Sequence, residues 1–152
     1  MQRTLPCILI AEDSPNDVEM TLAALAENNL ANDVIVVNDG EEALDYLYAR
    51  NKFQGRPPGN PVVVLLDLKM PKVDGLEVLQ VLKQDENLKM IPVVMLTSSR
   101  EEQDLLKSYQ LGVNAYVVKP VGFPQFIDAV KRLGVFWAVY NQPPPGSTHR
   151  AL

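Results

Sequence analysis

Val62-Val63-Val64-Leu65-Leu66-Asp67-Leu68-Lys69-Met70-Pro71 is the stretch that decides the fold. Its first five residues are β-branched or aliphatic without a polar break. Such a run suits a strand covered on both faces, as in a parallel sheet. It stops on a carboxylate, Asp67, with Pro71 and Gly75 soon after. A plain turn cap is a poor account of an acid placed between a buried strand and those two residues.

Working outward, four more apolar runs read as strands: Cys7 to Ala11, Val34 to Val37, Pro92 to Leu96 and Ala115 to Val118. Helical periodicity fills the gaps. Val18, Leu22 and Leu25 mark the first helix, and Leu44, Leu47 and Tyr48 the second. Val78, Leu79 and Leu82 mark the third, and Leu105, Leu106 and Tyr109 the fourth. Phe126, Ile127, Val130 and Trp137 mark the fifth. Ser14 precedes a proline at the first helical position. Asp39 with Glu42, Asp74 with Glu77, and Ser99 with Glu102 have capping-box spacing. Gly112 reads as a helix stop. The stretch 51–61 is rich in Pro and Gly and reads as a surface loop. The pattern is β-α five times over. It predicts a doubly wound α/β sandwich of three layers, with a central five-stranded parallel sheet and right-handed connections.

The composition excludes several alternatives. The 152 residues suit one domain, and 47% hydrophobic with 22% charged residues is a globular balance. A net charge of -5 argues against a nucleic-acid surface. The single cysteine, Cys7, excludes an internal disulfide and fits a cytoplasmic setting. No apolar stretch reaches the length of a signal peptide core or membrane span. The expected organisation is one domain over 1–140 and a flexible tail over 141–152, with no second folded unit.

In an open α/β sheet, ligands bind outside the carboxyl ends of the strands. Glu12 and Asp13 follow the first strand, Asp67 the third, Thr97 and Ser98 the fourth, and Lys119 the fifth. Carboxylates gathered at one edge repel unless a cation or proton intervenes. An oxygen-rich set favours a hard cation such as Mg²⁺. Such a cation would place a phosphoryl group near a carboxylate nucleophile, with Lys119 and Thr97 on its oxygens. The spacing does not say which carboxylate is the nucleophile.

Four motifs together supply that choice. Ile10-Ala11-Glu12-Asp13, Leu66-Asp67-Leu68-Lys69-Met70-Pro71 with Asp74-Gly75, Leu96-Thr97-Ser98, and Val118-Lys119-Pro120 resemble the receiver domains of two-component response regulators. The resemblance runs from about Leu5 to Val139, and it implies a flavodoxin-like fold. It implies that Asp67 accepts a phosphoryl group from a sensor histidine kinase. Glu12, Asp13, Asp67 and the backbone carbonyl of Lys69 would hold Mg²⁺, with Mn²⁺ or Ca²⁺ as substitutes. Lys119 would pair with the phosphorylated Asp67, across a cis bond to Pro120. Thr97 and Tyr116 would act as the switch. Glu12 stands where Asp is more usual, and Lys69 and Ser99 would flank the path of the hydrolytic water.

With no effector domain expected, output would be through protein contacts. Phe136, Trp137 and Tyr140 are the candidate interface, and the expected assembly is a homodimer through the fourth helix, fifth strand and fifth helix. The long loop after the second helix, the stretch Leu65 to Pro71 and the Phe136-Trp137 ending also resemble stand-alone regulators paired with bacterial phytochromes. That implies a phytochrome-type kinase as donor. The chief rival is a pseudo-receiver that binds partners without phosphorylation; it would usually lack Asp67, Thr97 or Lys119. A haloacid-dehalogenase-type phosphatase expects Asp-x-Asp after the first strand, where Asp13 meets Ser14-Pro15. A flavin carrier would set its phosphate against the Glu12-Asp13 pair.

Overall fold

The computed structural model describes residues 4–31, 34–147 and 149–151, with side chains at 7–31 and 34–147. After a short strand β1 (Thr4–Pro6) come β2 (Ile8–Ala11), α1 (Pro15–Ala26), β3 (Val34–Val37) and α2 (Gly40–Leu47). Then follow β4 (Val63–Leu66), α3 (Gly75–Gln84), β5 (Val93–Thr97), α4 (Glu102–Gln110), β6 (Ala115–Val118) and α5 (Phe123–Val135). The main sheet is parallel, with strand order β3-β2-β4-β5-β6. This is the flavodoxin-like sandwich expected from the sequence.

The continuous apolar runs are explained by two cores. Successive side chains on a strand point to opposite faces. In β4, Val63 and Leu65 join the core under α1 and α5, with Ala24, Leu25, Phe126 and Val130. Val64 and Leu66 join the core under α2 and α3, with Ala43, Leu44, Leu47, Val78, Leu79 and Leu82. Both faces are dry, so neither parity can be polar. Each fully buried leucine stabilises the fold by about 1.5–3 kcal/mol.

Local signals largely hold. Ser14, Asp39 and Asp74 cap α1, α2 and α3 by accepting the N–H of Asp17, Glu42 and Glu77. Gly112, at φ 99°, ends α4 in the left-handed region. On α1 the buried line is Thr21, Ala24 and Leu25, one step from the expected stripe, and Val18 and Leu22 are only partly buried. The small residues let α5 approach closely. A Cβ on Gly134 would lie 2.5 Å from Leu25 Cδ2.

Three expectations are corrected. Leu105, Leu106 and Tyr109 do not face inward: they are 39%, 58% and 53% exposed, and Ser108 is the buried residue of α4. Helical periodicity defines a stripe but not the direction it faces. Here α4 lies on its Asp104–Ser108 side. Ser99 does not form the capping box with Glu102, because α4 starts at Glu102 with Glu101 as its N-cap. The Ser99 hydroxyl instead donates to Asp104 Oδ2 at 2.7 Å and accepts the N–H of Glu101. The described stretches 141–147 and 149–151, expected as part of a flexible tail, return along the molecule. Asn60 pairs with Ser147, and β7 (His149–Ala151) pairs antiparallel with β1. Extended backbone beside an unpaired strand has ladder hydrogen bonds to gain. α5 also runs on, into a π turn over Phe136–Tyr140.

The loop over 51–61 lies on the surface but is fastened. Arg56 stacks 4.3 Å from the Tyr46 ring centroid and donates to the carbonyls of Tyr46, Leu47, Pro57 and Gly59. Among the described residues, no helix is long and apolar enough to cross a membrane.

Candidate functional site

The chain leaves β2 toward β3 on one side and later returns to β4 on the other. That reversal is the switch point of a doubly wound sheet, where a crevice opens. The ladder runs one residue past each strand there. Glu12 N–H donates to Val37 O at 3.0 Å, Asp67 N–H to Ala11 O at 3.0 Å and Lys119 N–H to Thr97 O at 2.7 Å. The polar residues that end the strands are therefore held in register by backbone bonds. Strand alternation then sorts them. Glu12, Asp67 and Lys119 share the parity of Ile10, Leu65 and Val117, which face α1 and α5. Thr97 and Tyr116 share the parity of the opposite core.

Asp67 is set by close backbone packing. Gly75 N–H donates to Leu68 O at 2.7 Å, and a Cβ at Gly75 would lie 2.3 Å from Asp67 O. Only glycine lets α3 begin so near the end of β4. Lys72 in the intervening loop has φ 67°, a left-handed conformation that non-glycine residues seldom hold.

Lys119 is the hub. Its Nζ lies 2.5 Å from Glu12 Oε1, 2.7 Å from Asp17 Oδ2 and 3.3 Å from Asp67 Oδ2. Its side chain is only 9% exposed. Burial by itself would lower its pKa. The hydrogen bonds to Asp17 and Glu12 and the charge of Asp67 outweigh burial and hold the ammonium above its ordinary range. Burial pushes Glu12 up to about 7, against the pull of Lys119 and of the Ser14 N–H on its Oε2. The carboxyl group and the ammonium therefore each hold a proton more firmly than they would in water.

Glu12, Asp13 and Asp67 each offer a carboxylate oxygen within 4.8 Å of the others. Glu12 and Asp67 are buried and Asp13 is exposed. An all-oxygen set with one open side fits a hard divalent cation that keeps part of its water. Glu12 and Asp67 now share Lys119, so a cation would compete with the ammonium for them.

The other expected residues are spread around this centre. Thr97 is buried, and its Oγ1 accepts the Ser99 N–H at 3.3 Å. Tyr116 is half-buried against the α3-side core and donates its hydroxyl to Ser99 O at 3.1 Å. The Lys69 Nζ lies 4.0 Å from Glu101 Oε1. Ser98 lines a cleft of about 440 Å³ beside Lys119, with Asp17, Met20 and Phe126. Trp137 packs against the α1–α5 core, edge-to-face with Phe136, while Phe136 and Tyr140 are exposed. The Lys119-Pro120 bond is a correction: among the described residues no peptide bond is cis. Trans is the lower-energy isomer of an X-Pro bond, and the dipeptide carries no local signal for the other.

Asp17 is the member of the site that the sequence reading missed. An acid three residues after a cap is what any helix start favours, because of the macrodipole. The one available clue was its place on α1, on the face shared by Glu12 and Lys119.

Residues 8–131 match the response regulator receiver domain. Response regulator Rcp1 of Synechocystis sp. is 37% identical over 86% of this chain and 87% of its own. Its Mn²⁺-bound structure has a TM-score of 0.85 at 35% identity, covering 91% of this chain and 99% of that one. The phosphorylated cyanobacterial phytochrome response regulator RcpA gives a TM-score of 0.86 at 37% identity, over 92% and 99%. The bacteriophytochrome response regulator AtBRR is 62% identical, with a TM-score of 0.72, over 91% and 99%. The acidic pocket of Glu12, Asp13 and Asp67 fits a phosphorylation site, which disfavours the pseudo-receiver alternative. The chain belongs to the response regulator receiver family and is related to the single-domain regulators of phytochromes.

Proposed function

We propose that Asp67 accepts a phosphoryl group from a sensor histidine kinase. The supporting observation is the Lys119 ammonium bridging Glu12 and Asp67 at the sheet edge. An Asp67 oxygen forms the new P–O bond as the donor's P–N bond breaks, and the electron pair leaves on the imidazole nitrogen. Glu12, Asp13, Asp67 and the Lys69 carbonyl would hold Mg²⁺, which when bound offsets charge on the transferred group. Lys119 and Thr97 then take the phosphoryl oxygens, and Tyr116 follows Thr97 as the switch. The protein acts on its own aspartate and turns over no separate substrate. A phosphorelay of this kind places it in the cytoplasm. Relatedness to RcpA and AtBRR supports a phytochrome-type kinase as donor.

Incubation with Mg²⁺ and acetyl phosphate tests the acceptor. Intact mass should rise by one phosphoryl group in wild type, not in Asp67→Asn, and not with EDTA. Equal labelling of both proteins would refute the assignment.

We further propose a homodimer through α4, β6 and α5. β6 is an edge strand, and among the described residues Leu105, Leu106 and Tyr109 of α4 are left exposed. Phe136 and Tyr140, just past α5, are also exposed. Sedimentation showing only monomer at high concentration, with and without phosphodonor, would exclude this assembly.

A further inference from the structure

Asp17 has no place in the roles assigned so far, yet its bond to Lys119 is among the shortest in the site. An ammonium has three N–H donors. Those of Lys119 are used up by Glu12 at 2.5 Å, Asp17 at 2.7 Å and Asp67 at 3.3 Å. The bond to the acceptor is the longest. The ammonium therefore sits closer to Glu12 and Asp17 than to Asp67 while remaining bonded to all three.

Asp17 is built into that position. Pro15 opens α1, and the Ser14 hydroxyl accepts the Asp17 N–H. The Ser14 N–H in turn donates to Glu12 Oε2 at 3.0 Å. One residue thus ties the end of β2 to the first turn of α1. The macrodipole accounts for an acid in this turn, but not for its reach to the end of β6. The Asp17 side chain is 25% exposed and shares its cleft with Met20 and Phe126. That surrounding lowers the local dielectric and strengthens its hold on the ammonium.

Asp17 is also absent from the set of oxygens close enough to share one cation. A cation on Glu12, Asp13 and Asp67 competes for two of the lysine's three partners. Asp17 is the partner left to it.

We propose that Asp17 is a positioning residue that competes with the phosphorylated acceptor for Lys119, and so limits how tightly the site holds a phosphoryl group. The inference rests on Asp67 being the acceptor. A phosphoryl group brings about −1.5 to −2 charges. To pair with it, Lys119 must give up Asp17, and Asp17 keeps its own negative charge nearby. Asparagine at this position retains the shape and a carbonyl acceptor but removes the charge.

The test uses beryllium fluoride with Mg²⁺ as a phosphoryl mimic, with binding followed by ¹⁹F resonance. Wild type, Asp17→Asn, Lys119→Ala and the double variant are compared, with Asp67→Asn as control. Asp17→Asn should bind roughly three- to tenfold more tightly. The gain should vanish when Lys119 is alanine, since a double-mutant cycle isolates the coupling. In the metal-free protein, the ¹⁵N ammonium resonance of Lys119 should shift in Asp17→Asn. Asp17→Ser is a second uncharged variant should asparagine disturb the fold. Equal or weaker binding, an unmoved lysine resonance, or a gain that persists without Lys119 would overturn the proposal. Binding by Asp67→Asn equal to wild type would instead remove the acceptor assignment, and this inference with it.

Discussion

Helices α1 and α4 both begin beside the acidic edge, but they are attached to the molecule in opposite ways. α1 sinks Thr21, Ala24 and Leu25 against α5 and the sheet, and sends Asp17 to Lys119. α4 buries Ser108 and turns Leu105, Leu106 and Tyr109 outward. Its start is tied by the Ser99–Asp104 bond and by the Tyr116 hydroxyl on Ser99 O. One flank of the site is anchored by packing and holds the charges. The other hangs on a few polar bonds and presents an apolar surface. A regulator needs both: a rigid side to fix chemistry and a side whose contacts can change.

The largest test of this contrast is stability. Leu25 is fully buried, so Leu25→Ala should cost about 2–5 kcal/mol in urea unfolding. A cost below about 1 kcal/mol would mean that α1 is not the anchored flank. Next comes the loop between β4 and α3. Gly75→Ala puts a methyl group against Asp67 O. It should cost about 1–3 kcal/mol and also lower acetyl-phosphate labelling. Labelling at the wild-type rate would show that the loop gives way freely.

The charged flank should show its own pH dependence. Burial raises Glu12 from 4.5 to about 7, so the folded chain holds this proton more tightly than the unfolded one. Its contribution to stability is complete below the unfolded value and is lost as pH rises through the folded one. In metal-free protein, wild type should lose stability relative to Glu12→Gln between about pH 5 and pH 8. A flat or opposite difference in urea midpoints would break the reading.

The smallest effect is expected on the other flank. Leu106→Ala should change monomer stability by no more than about 0.5 kcal/mol, because the side chain is 58% exposed. If α4 forms the dimer face, the same change should weaken self-association in sedimentation. A stability loss comparable to that of Leu25→Ala would erase the contrast between the helices.

What could be read from sequence divides along physical lines. The strands and the Ser14, Asp39 and Asp74 caps depend on near neighbours, and each falls where expected. Glu12, Asp13, Asp67 and Lys119 were legible because each ends an apolar run, and the sheet brings such ends together. Asp17 was hidden because its local role at a helix start is already sufficient. The direction of the α4 stripe was hidden because periodicity carries no information about the partner. The Ser99 hydroxyl had two acceptable uses, and only tertiary contact with Asp104 chose between them. The return of 149–151 to β1 depends on a contact between distant parts of the chain, which composition does not register.

The division of β4 between two dry cores has a consequence for how this chain can change. Substituting one aliphatic residue for another in Val62 to Leu66 alters volume and little else. Inserting or deleting a single residue there exchanges the two parities. Asp67 would turn from the α1 flank, where Lys119 waits, to the α3 flank, where the neighbours are Val78 and Leu79. The stretch tolerates spelling changes but not a shift of frame.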